Sequence, residues 1–329
     1  MGLPYLVRRT VVYALSLLGG VMINFVVPRL IPGNPLQAKL MELQRMGIRV
    51  AGQDFVDKYM RIFGLNEPLH IQFINYLSSL AQGNLGVSIT RFPMEVKELI
   101  AIYFPWTIAL LCTAQFLCFL IGVPLGALVG WRTNSKASNV VFAFFLVLSQ
   151  MQYYTVAMTL LYLLAFVLPI FPTGAAYTYG ADYNAFQFIL DVMWHAALPA
   201  MSIILVGVGG WTLAARGLMV GVKNEDYIAL AKAKGLKDRQ IFLSYALKNT
   251  LLPQITDLAI TMGFVATGSI LVEVIFGYPG MGFLLYRSIT SLDYPLIQGI
   301  SLMYVFGVTT AAFIVELLYP VLDPRVRYE

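Results

Sequence analysis

Six apolar stretches dominate this chain, each long enough to cross the roughly 30 Å hydrocarbon core of a bilayer as a helix. They are Val11–Leu30, Tyr103–Val129, Val140–Leu168, Ala196–Ala215, Thr256–Phe276 and Leu296–Leu318. Lipid offers the backbone no hydrogen-bond partner, so a spanning segment must be a helix or part of a closed barrel. Continuous apolar runs, rather than alternating ones, choose the helix. The second, third and fourth runs contain no charged residue, whereas the fifth carries Asp257 and Glu273 near its two ends. Only 12% of the 329 residues are charged and 59% are hydrophobic, against about 25% charged in a soluble domain. The expected fold is an all-α polytopic membrane protein with about six transmembrane helices. Arg8 and Arg9 precede the first run as they would in a signal peptide. Its apolar core exceeds the usual length, however, and no small-x-small cleavage site follows, so a retained span is expected.

Charge in the connections sets the orientation. Arg132 and Lys136 separate runs two and three, and seven basic residues from Arg216 to Lys248 separate runs four and five. The connection Pro169–His195 has neither Lys nor Arg and carries Asp182 and Asp191. With Arg8, Arg9, Arg325 and Arg327 at the termini, the positive-inside rule makes both termini and the basic connection cytoplasmic. The net charge of +5 is thereby explained by orientation and asks for no nucleic acid. Ile31–Ile102 carries seven basic residues and is expected outside; at about 70 residues it is too long for the rule to apply. Pro32-Gly33-Asn34-Pro35 breaks the chain after the first span. Helical spacing then recurs over Leu36–Gly47, Asp54–Phe63 and Pro68–Leu80, the last with Ile71, Ile74, Tyr76 and Leu77. This insertion is too apolar for a disordered linker and is expected to pack on the outer face of the protein or to lie on lipid.

The basic connection reads as a self-capped helical hairpin. Asn224 suits an N-cap, Glu225 and Asp226 the first turn, Lys232 and Lys234 the last turn, and Gly235 the left-handed residue beyond it. Asp238 suits the cap of a second helix with Ile241 and Tyr245 on one face, ending at Pro253. Tyr227, Ile228, Leu230 and Ala231 give the first helix an apolar side, and Lys232, Lys234, Lys237 and Arg239 rim it. A rigid basic projection from a membrane domain is a docking surface for a soluble partner. On the opposite side, the Tyr-, Gly- and Ala-rich loop Phe171–His195 and the loop Gly277–Tyr294 connect spans. The second opens on Gly-Tyr-Pro-Gly-Met-Gly, which cannot remain helical. Glu273 is expected to tie its span to this loop, with no Asp/Glu/His relay beside it to couple protons.

Catalytic signatures are missing. There is no Gly-x-x-x-x-Gly-Lys-[Ser/Thr], and Gly-Lys occurs nowhere, so phosphates are not cradled by that route. No Gly-x-Ser-x-Gly or His-Glu-x-x-His is present. His70 and His195 stand apart, and Cys112 and Cys118 lack metal or redox spacing, so no metal is expected. The polar stretch Ser149–Thr155 places Gln150, Gln152, Tyr153 and Tyr154 in the middle of an apolar run, as a wettable translocation path would.

Ala229-Leu230-Ala231-x-x-x-Gly235 resembles the Glu-Ala-Ala-x-x-x-Gly loop of ABC-importer permeases. "RLIPGNPL" (Arg29–Leu36), "FGLNEPLHIQF" (Phe63–Phe73), "GNLGVSI" (Gly83–Ile89), "EVIFGYPGMG" (Glu273–Gly282), "DYPLIQG" (Asp293–Gly299) and "DPRVRY" (Asp323–Tyr328) are similar, in this order, to motifs of the dipeptide/oligopeptide branch. Ala229 departs from the loop's first Glu, and Lys248 from its proline thirteen residues after the glycine. The resemblance implies a first span within residues 1–31, an external insertion at 32–102, and a core permease domain at 103–329 with an ATPase-docking loop at 221–253. It implies a location in the inner (cytoplasmic) cell membrane. It also implies a second homologous permease subunit, two cytoplasmic ABC ATPases and an external solute-binding protein as partners. ATP and Mg would sit on the ATPases, with no cofactor in this non-catalytic chain. The outer-loop motif would comprise Glu273, Gly277, Pro279, Gly280 and Gly282. "FPWTIALL" (Phe104–Leu111) and "TGAAYTYG" (Thr173–Gly180) resemble oligosaccharide carriers of the same branch, so oligopeptides and oligosaccharides both stay open as cargo. A secondary transporter of a small polar solute is the rival reading, set against the missing coupling residues and inverted repeat; an intramembrane enzyme is the other.

Overall fold

A computed structural model describes residues 3–30, 66–181, 184–265 and 269–322. The turn at Pro32–Pro35, the helical spacing over Leu36–Gly47 and Asp54–Phe63, Asp182, and Asp323–Tyr328 lie outside the described residues. The described chain is all-α, with one isolated bridge between Val87 and Glu95. In order it forms α1 (Leu3–Leu30), α2 (Leu69–Ala81), α3 (Val96–Trp131), α4 (Lys136–Gln150), α5 (Tyr153–Leu160) and α6 (Ala185–Lys223). A short α7 (Asp226–Ala233) follows. A turn at Asp238–Gln240, a π-helical stretch at Ile241–Leu247 and α8 (Lys248–Phe264) then run on without a break. α9 (Ile270–Ile275), α10 (Met281–Thr290) and α11 (Tyr294–Leu322) complete the chain.

Four of the expected spans are single helices, within α1, α3, α6 and α11, each long and apolar enough to cross a membrane. Two are not. The run Val140–Leu168 breaks at Met151-Gln152, where α4 and the helix from Tyr153 to Val167 meet at 98°. Hydropathy registers apolar content and is blind to such a bend. The run Thr256–Phe276 is divided between α8 and the short α9 rather than forming one helix, and Pro253 lies inside α8 instead of ending it. Its missing N–H and its ring bear on the turn back to Asn249, which stays α-helical and directly follows the π-helical stretch. The loop expected over Phe171–His195 ends at Asn184. There Asn184 accepts from the Gln187 backbone and Gln187 reaches back, a capping box that starts α6 and leaves His195 inside a helix. The loop expected over Gly277–Tyr294 likewise holds α10.

The chain packs as two compact units: residues 1–106, 266–270 and 280–329 form one, and 107–265 with 271–279 the other. In the first, α1 lies along α11. Tyr13 Oη and Thr310 Oγ1 meet at 2.9 Å, their neighbouring rings Tyr13 and Phe313 stack, and Asn24 Nδ2 donates to the Gln298 carbonyl at 2.7 Å. Val96, Leu99, Met281, Leu284, Leu296 and Ile300 form its buried core.

In the second unit, α3 meets α6 along a glycine stripe. A Cβ on Gly122 would stand 2.6 Å from Trp211 Cβ, one on Gly126 2.3 Å from the Thr212 carbonyl, and one on Gly130 2.8 Å from Met219 Cβ. Small residues every four positions let helix backbones approach in lipid, where no hydrophobic force drives association. Thr212 Oγ1 uses that proximity to donate to the Gly122 carbonyl at 3.3 Å. Gly126→Ala is therefore expected to force α3 and α6 apart at a cost of about 2 kcal/mol. Gly210→Ala, at a position with open space around it, is expected to leave stability unchanged. Thermal unfolding in detergent separates them; an unaltered midpoint for Gly126→Ala would refute the close-packing argument.

Candidate functional site

The charged hairpin forms, with its caps moved by one residue. Asn224 closes α6 as its C-cap and turns its side-chain amide back to the Val220 carbonyl, so it is Glu225 that precedes α7. The reason is continuity: α6 runs to Lys223, and a C-cap and an N-cap have to share the two residues between the helices. At the other end, Gly235 adopts φ +76°. Its N–H bonds the Lys232 carbonyl at 2.9 Å, and the Leu236 N–H reaches the Ala231 carbonyl at 3.4 Å. These two bonds make a complete Schellman motif. The next helical turn starts after Lys237, and Asp238 is its first residue rather than its side-chain cap. The Asp238 carboxylate instead accepts from Trp131 Nε1 at 2.9 Å, at the end of α3. Lys223 Nζ donates to the Trp131 carbonyl at 2.8 Å, so the same tryptophan is held from both sides.

The apolar side expected of α7 divides in two. Ile228 and Ala231 are buried with Ala127, Trp131, Met219, Ile241 and Ala246. Tyr227 and Leu230 remain exposed, as do Lys232, Lys234, Lys237 and Arg239. Ile241 and Tyr245 do not share a face. The stretch is π-helical, so Ile241 aligns with Ala246, both buried, while Tyr245 points outward. The hairpin is thus anchored through one set of apolar residues and presents a second set, ringed by cations.

The polar stretch expected to line a path sits at the 98° break. Gln150 is the last residue of α4, Gln152 the N-cap of α5, and Tyr153 and Tyr154 its first two residues. All four are exposed. At the outer-loop motif, Glu273 is fully buried in α9. Its Oε1 accepts from Thr107 Oγ1 at 2.8 Å, and its backbone carbonyl accepts from the Tyr278 N–H at 2.8 Å. Gly277 takes φ +56°, Pro279 follows in the turn, Gly280 is the N-cap of α10 and Gly282 lies in its first turn. Ala175 N–H donates to the Phe276 carbonyl at 3.0 Å, joining "TGAAYTYG" to "EVIFGYPG". Burial, with the Glu273 carboxylate adding to it, pushes the Tyr278 phenol up to about 12.

One residue that sequence reasoning quoted only as part of a motif proves to be a junction. Asp293, fully buried, accepts from Ser88 Oγ at 2.5 Å, Thr90 Oγ1 at 2.7 Å, Thr90 N at 3.0 Å and Ile89 N at 3.1 Å. It also accepts from Leu296 N at 3.3 Å and so caps α11. The motifs "GNLGVSI" and "DYPLIQG", about 200 residues apart, are thereby one site. Asp-Tyr-Pro is a legible N-cap signal; the other four donors have no signal in the local sequence. Among the described residues no group of three His, Cys, Asp or Glu is placed to hold a metal ion.

Residues 122–328 match the sequence family described as binding-protein-dependent transport system inner membrane component. The chain is similar to the oligopeptide transport system permease protein AppB of Bacillus subtilis, 32% identical over 98% of this chain and 99% of the relative. It is also 32% identical to a probable D,D-dipeptide transport system permease protein, DdpB of Escherichia coli, over 94% of this chain and 93% of that protein. To the oligopeptide permease protein OppB of Haemophilus influenzae it is 31% identical over 93% of each.

Asp293→Ala would strand four buried or half-buried donors and uncap α11, at an expected cost of about 3 kcal/mol. Asp293→Asn keeps one acceptor oxygen and should fall between that variant and the parent. Unfolding midpoints in detergent would give this order; equal midpoints for all three would mean that water replaces the carboxylate at no cost.

Proposed function

This chain belongs to the family of binding-protein-dependent transport system inner membrane components, and on that premise we propose that it is one transmembrane half of an ATP-driven importer of peptides. A second homologous permease subunit, two cytoplasmic ATPases and an external peptide-binding protein complete the assembly. The termini and the hairpin face the cytoplasm, and the segment between α1 and α3 faces outward. Peptides are the cargo because each of the three relatives above is named for oligopeptide or dipeptide transport. The residues that resemble oligosaccharide carriers argue less for sugar, since Thr107 holds Glu273 and Ala175 holds the Phe276 carbonyl. Their role in packing accounts for their presence without reference to cargo.

The observation that carries the proposal is the anchored hairpin. Ile228, Ala231 and the Trp131–Asp238 bond fix α7 to the ends of α3 and α6, while Tyr227, Leu230 and four cations stay exposed. An ATPase cleft that takes Tyr227 and Leu230 can therefore push on α3 and α6 without the hairpin folding back. ATP binding would draw the hairpins of the two permease subunits together and open the path outward; hydrolysis would reset it. The ATPase can bias this equilibrium only through contacts that differ between the two states. Gln150, Gln152, Tyr153 and Tyr154 supply amides and rings to the path at the break between α4 and α5. They offer replaceable hydrogen bonds to a peptide backbone, and no fixed charge to trap it.

The test is uptake of a radiolabelled tripeptide by vesicles holding the full assembly, supplied with binding protein outside and ATP inside. Gly235→Val places a β-branched residue at φ +76°, a region such residues rarely enter. It should cut uptake at least tenfold with the chain still inserted. Normal uptake with normal ATPase co-purification would remove the docking assignment. Gln152→Leu and Tyr154→Ala should each slow transport several-fold without changing the binding protein's affinity. If both variants transport at the parental rate, the path runs elsewhere.

A further inference from the structure

In the first unit, a polar cavity of about 350 Å³ opens at the end of α1, lined by Arg29, Gln72, Tyr76, Asn84, Tyr294 and Gln298 among others. One charged group in it is poised for an acceptor. The Arg29 guanidinium stacks on the Phe25 ring, 3.6 Å from its centroid, and donates to Gln72 Oε1 at 3.2 and 3.0 Å and to the Phe25 carbonyl at 2.7 Å. All of these partners are neutral, and no carboxylate among the described residues pairs with Arg29. A half-buried cation with no counter-charge among the described residues is costly. An anion in the cavity supplies that counter-charge.

A second cavity of about 350 Å³ adjoins the first, sharing Leu85, Gly299 and Leu302 with it. Its lining is wholly apolar and includes Leu17, Val21, Met303 and Phe306. Val21 and Leu17 precede Arg29 by eight and twelve residues, which on a helix is about 12 and 18 Å along the axis. That is on the order of one leaflet of the 30 Å hydrocarbon core. A polar anion-seeking chamber at the end of two spanning helices thus continues into an apolar groove running towards the membrane centre. A free inorganic anion or a peptide carboxylate would use the chamber and leave the groove unfilled. An amphiphile with one anionic headgroup uses both.

We propose that an anionic phospholipid occupies this site, its phosphate on Arg29 and one acyl chain in the groove beside Val21 and Met303. It holds α1 against α11 and α2, and the site neither requires the peptide assignment nor overlaps the residues named for the path. The test uses the full assembly purified in mild detergent and titrated with dioleoyl phosphatidylglycerol by native mass spectrometry, with inorganic phosphate and a tripeptide as competing probes. One phosphatidylglycerol should be retained per copy of this chain. Arg29→Met should weaken retention at least tenfold, Arg29→Lys much less, and Val21→Trp, which fills the groove without touching the charge, at least tenfold. Unfolding midpoints of each variant identify any that fail to fold, and Val21→Trp and Arg29→Lys then carry the test. Retention unaltered by Arg29→Met and Val21→Trp would overturn the proposal. So would displacement of the lipid by phosphate or tripeptide at equal concentration, which would make the chamber a site for a free anion.

Discussion

A bilayer does not hydrogen-bond to the backbone, and several departures from helix among the described residues are closed by internal partners. Where α10 gives way to α11, Leu292 takes φ +56° and the next residue, Asp293, caps the new helix with its carboxylate. Where α9 ends, the Glu273 carbonyl accepts from Tyr278 and the Phe276 carbonyl from Ala175. Where α7 ends, the Schellman bonds at Gly235 and Leu236 take up the Lys232 and Ala231 carbonyls. At the break between α4 and α5, Met151 N–H returns to the Leu148 carbonyl, and the Gln152 carbonyl receives Thr155. An unsatisfied group in hydrocarbon costs several kcal/mol, so within the spanning segments such closures limit where the chain can turn, whereas the exposed turn at Gly235 is set by its left-handed φ.

Two buried acids illustrate how such closures become tertiary joints. Asp293 ties Ser88, Ile89 and Thr90 to the start of α11, and Glu273 ties Thr107 on α3 to α9. A carboxylate removed from water is expensive unless its oxygens are filled. At Asp293 five donors fill them, and the demand works in both directions: the turn at residues 88–90 is held in place because it has donors to give. The π-helical stretch at Ile241–Leu247 acts differently. One extra residue in the turn rotates everything before it relative to everything after, so Ile241 packs inward with Ala246 while Tyr245 faces out. The hairpin keeps its anchor and α8 keeps its own face, a combination that a regular α-helix through the same residues would not allow.

Legibility in the sequence followed the range of the interaction. α1, α3, α6 and α11 were readable because span identity depends on local apolar content alone. The turn at Gly235 was readable because a left-handed residue after a basic last turn is a local signal. The bend at Met151-Gln152 was hidden because apolar content continues across it. The stripe Gly122, Gly126 and Gly130 had a visible spacing, yet its meaning depends on Trp211, Thr212 and Met219 arriving opposite it. Within α7 the apolar residues Tyr227, Ile228, Leu230 and Ala231 cover too much of an eight-residue helix for spacing to say which side packs inward; the pocket around Trp131 decides that Ile228 and Ala231 do. Asn224 failed as an N-cap because two helices compete for the same short connection, and the longer one claims it.

The motifs that mark the chain's family resemblance are largely these closures. "GNLGVSI" and "DYPLIQG" meet at Asp293, "EVIFGYPG" meets Thr107 and Ala175, and the Gly235 turn shapes the hairpin. Residues committed to internal hydrogen bonds are not free to grip a passing solute. Their presence therefore specifies a framework and carries little information about cargo. Under the path proposed above, selection among solutes would rest on side chains with unspent hydrogen-bonding capacity at breaks in the spanning helices. Gln152, Tyr153 and Tyr154, exposed at the 98° bend, meet that requirement, whereas Asp293 and Glu273, despite their charge and burial, do not. A search for the determinants of specificity that follows the motifs would reach internal joints, and one that follows the bends would reach the residues proposed above for the path.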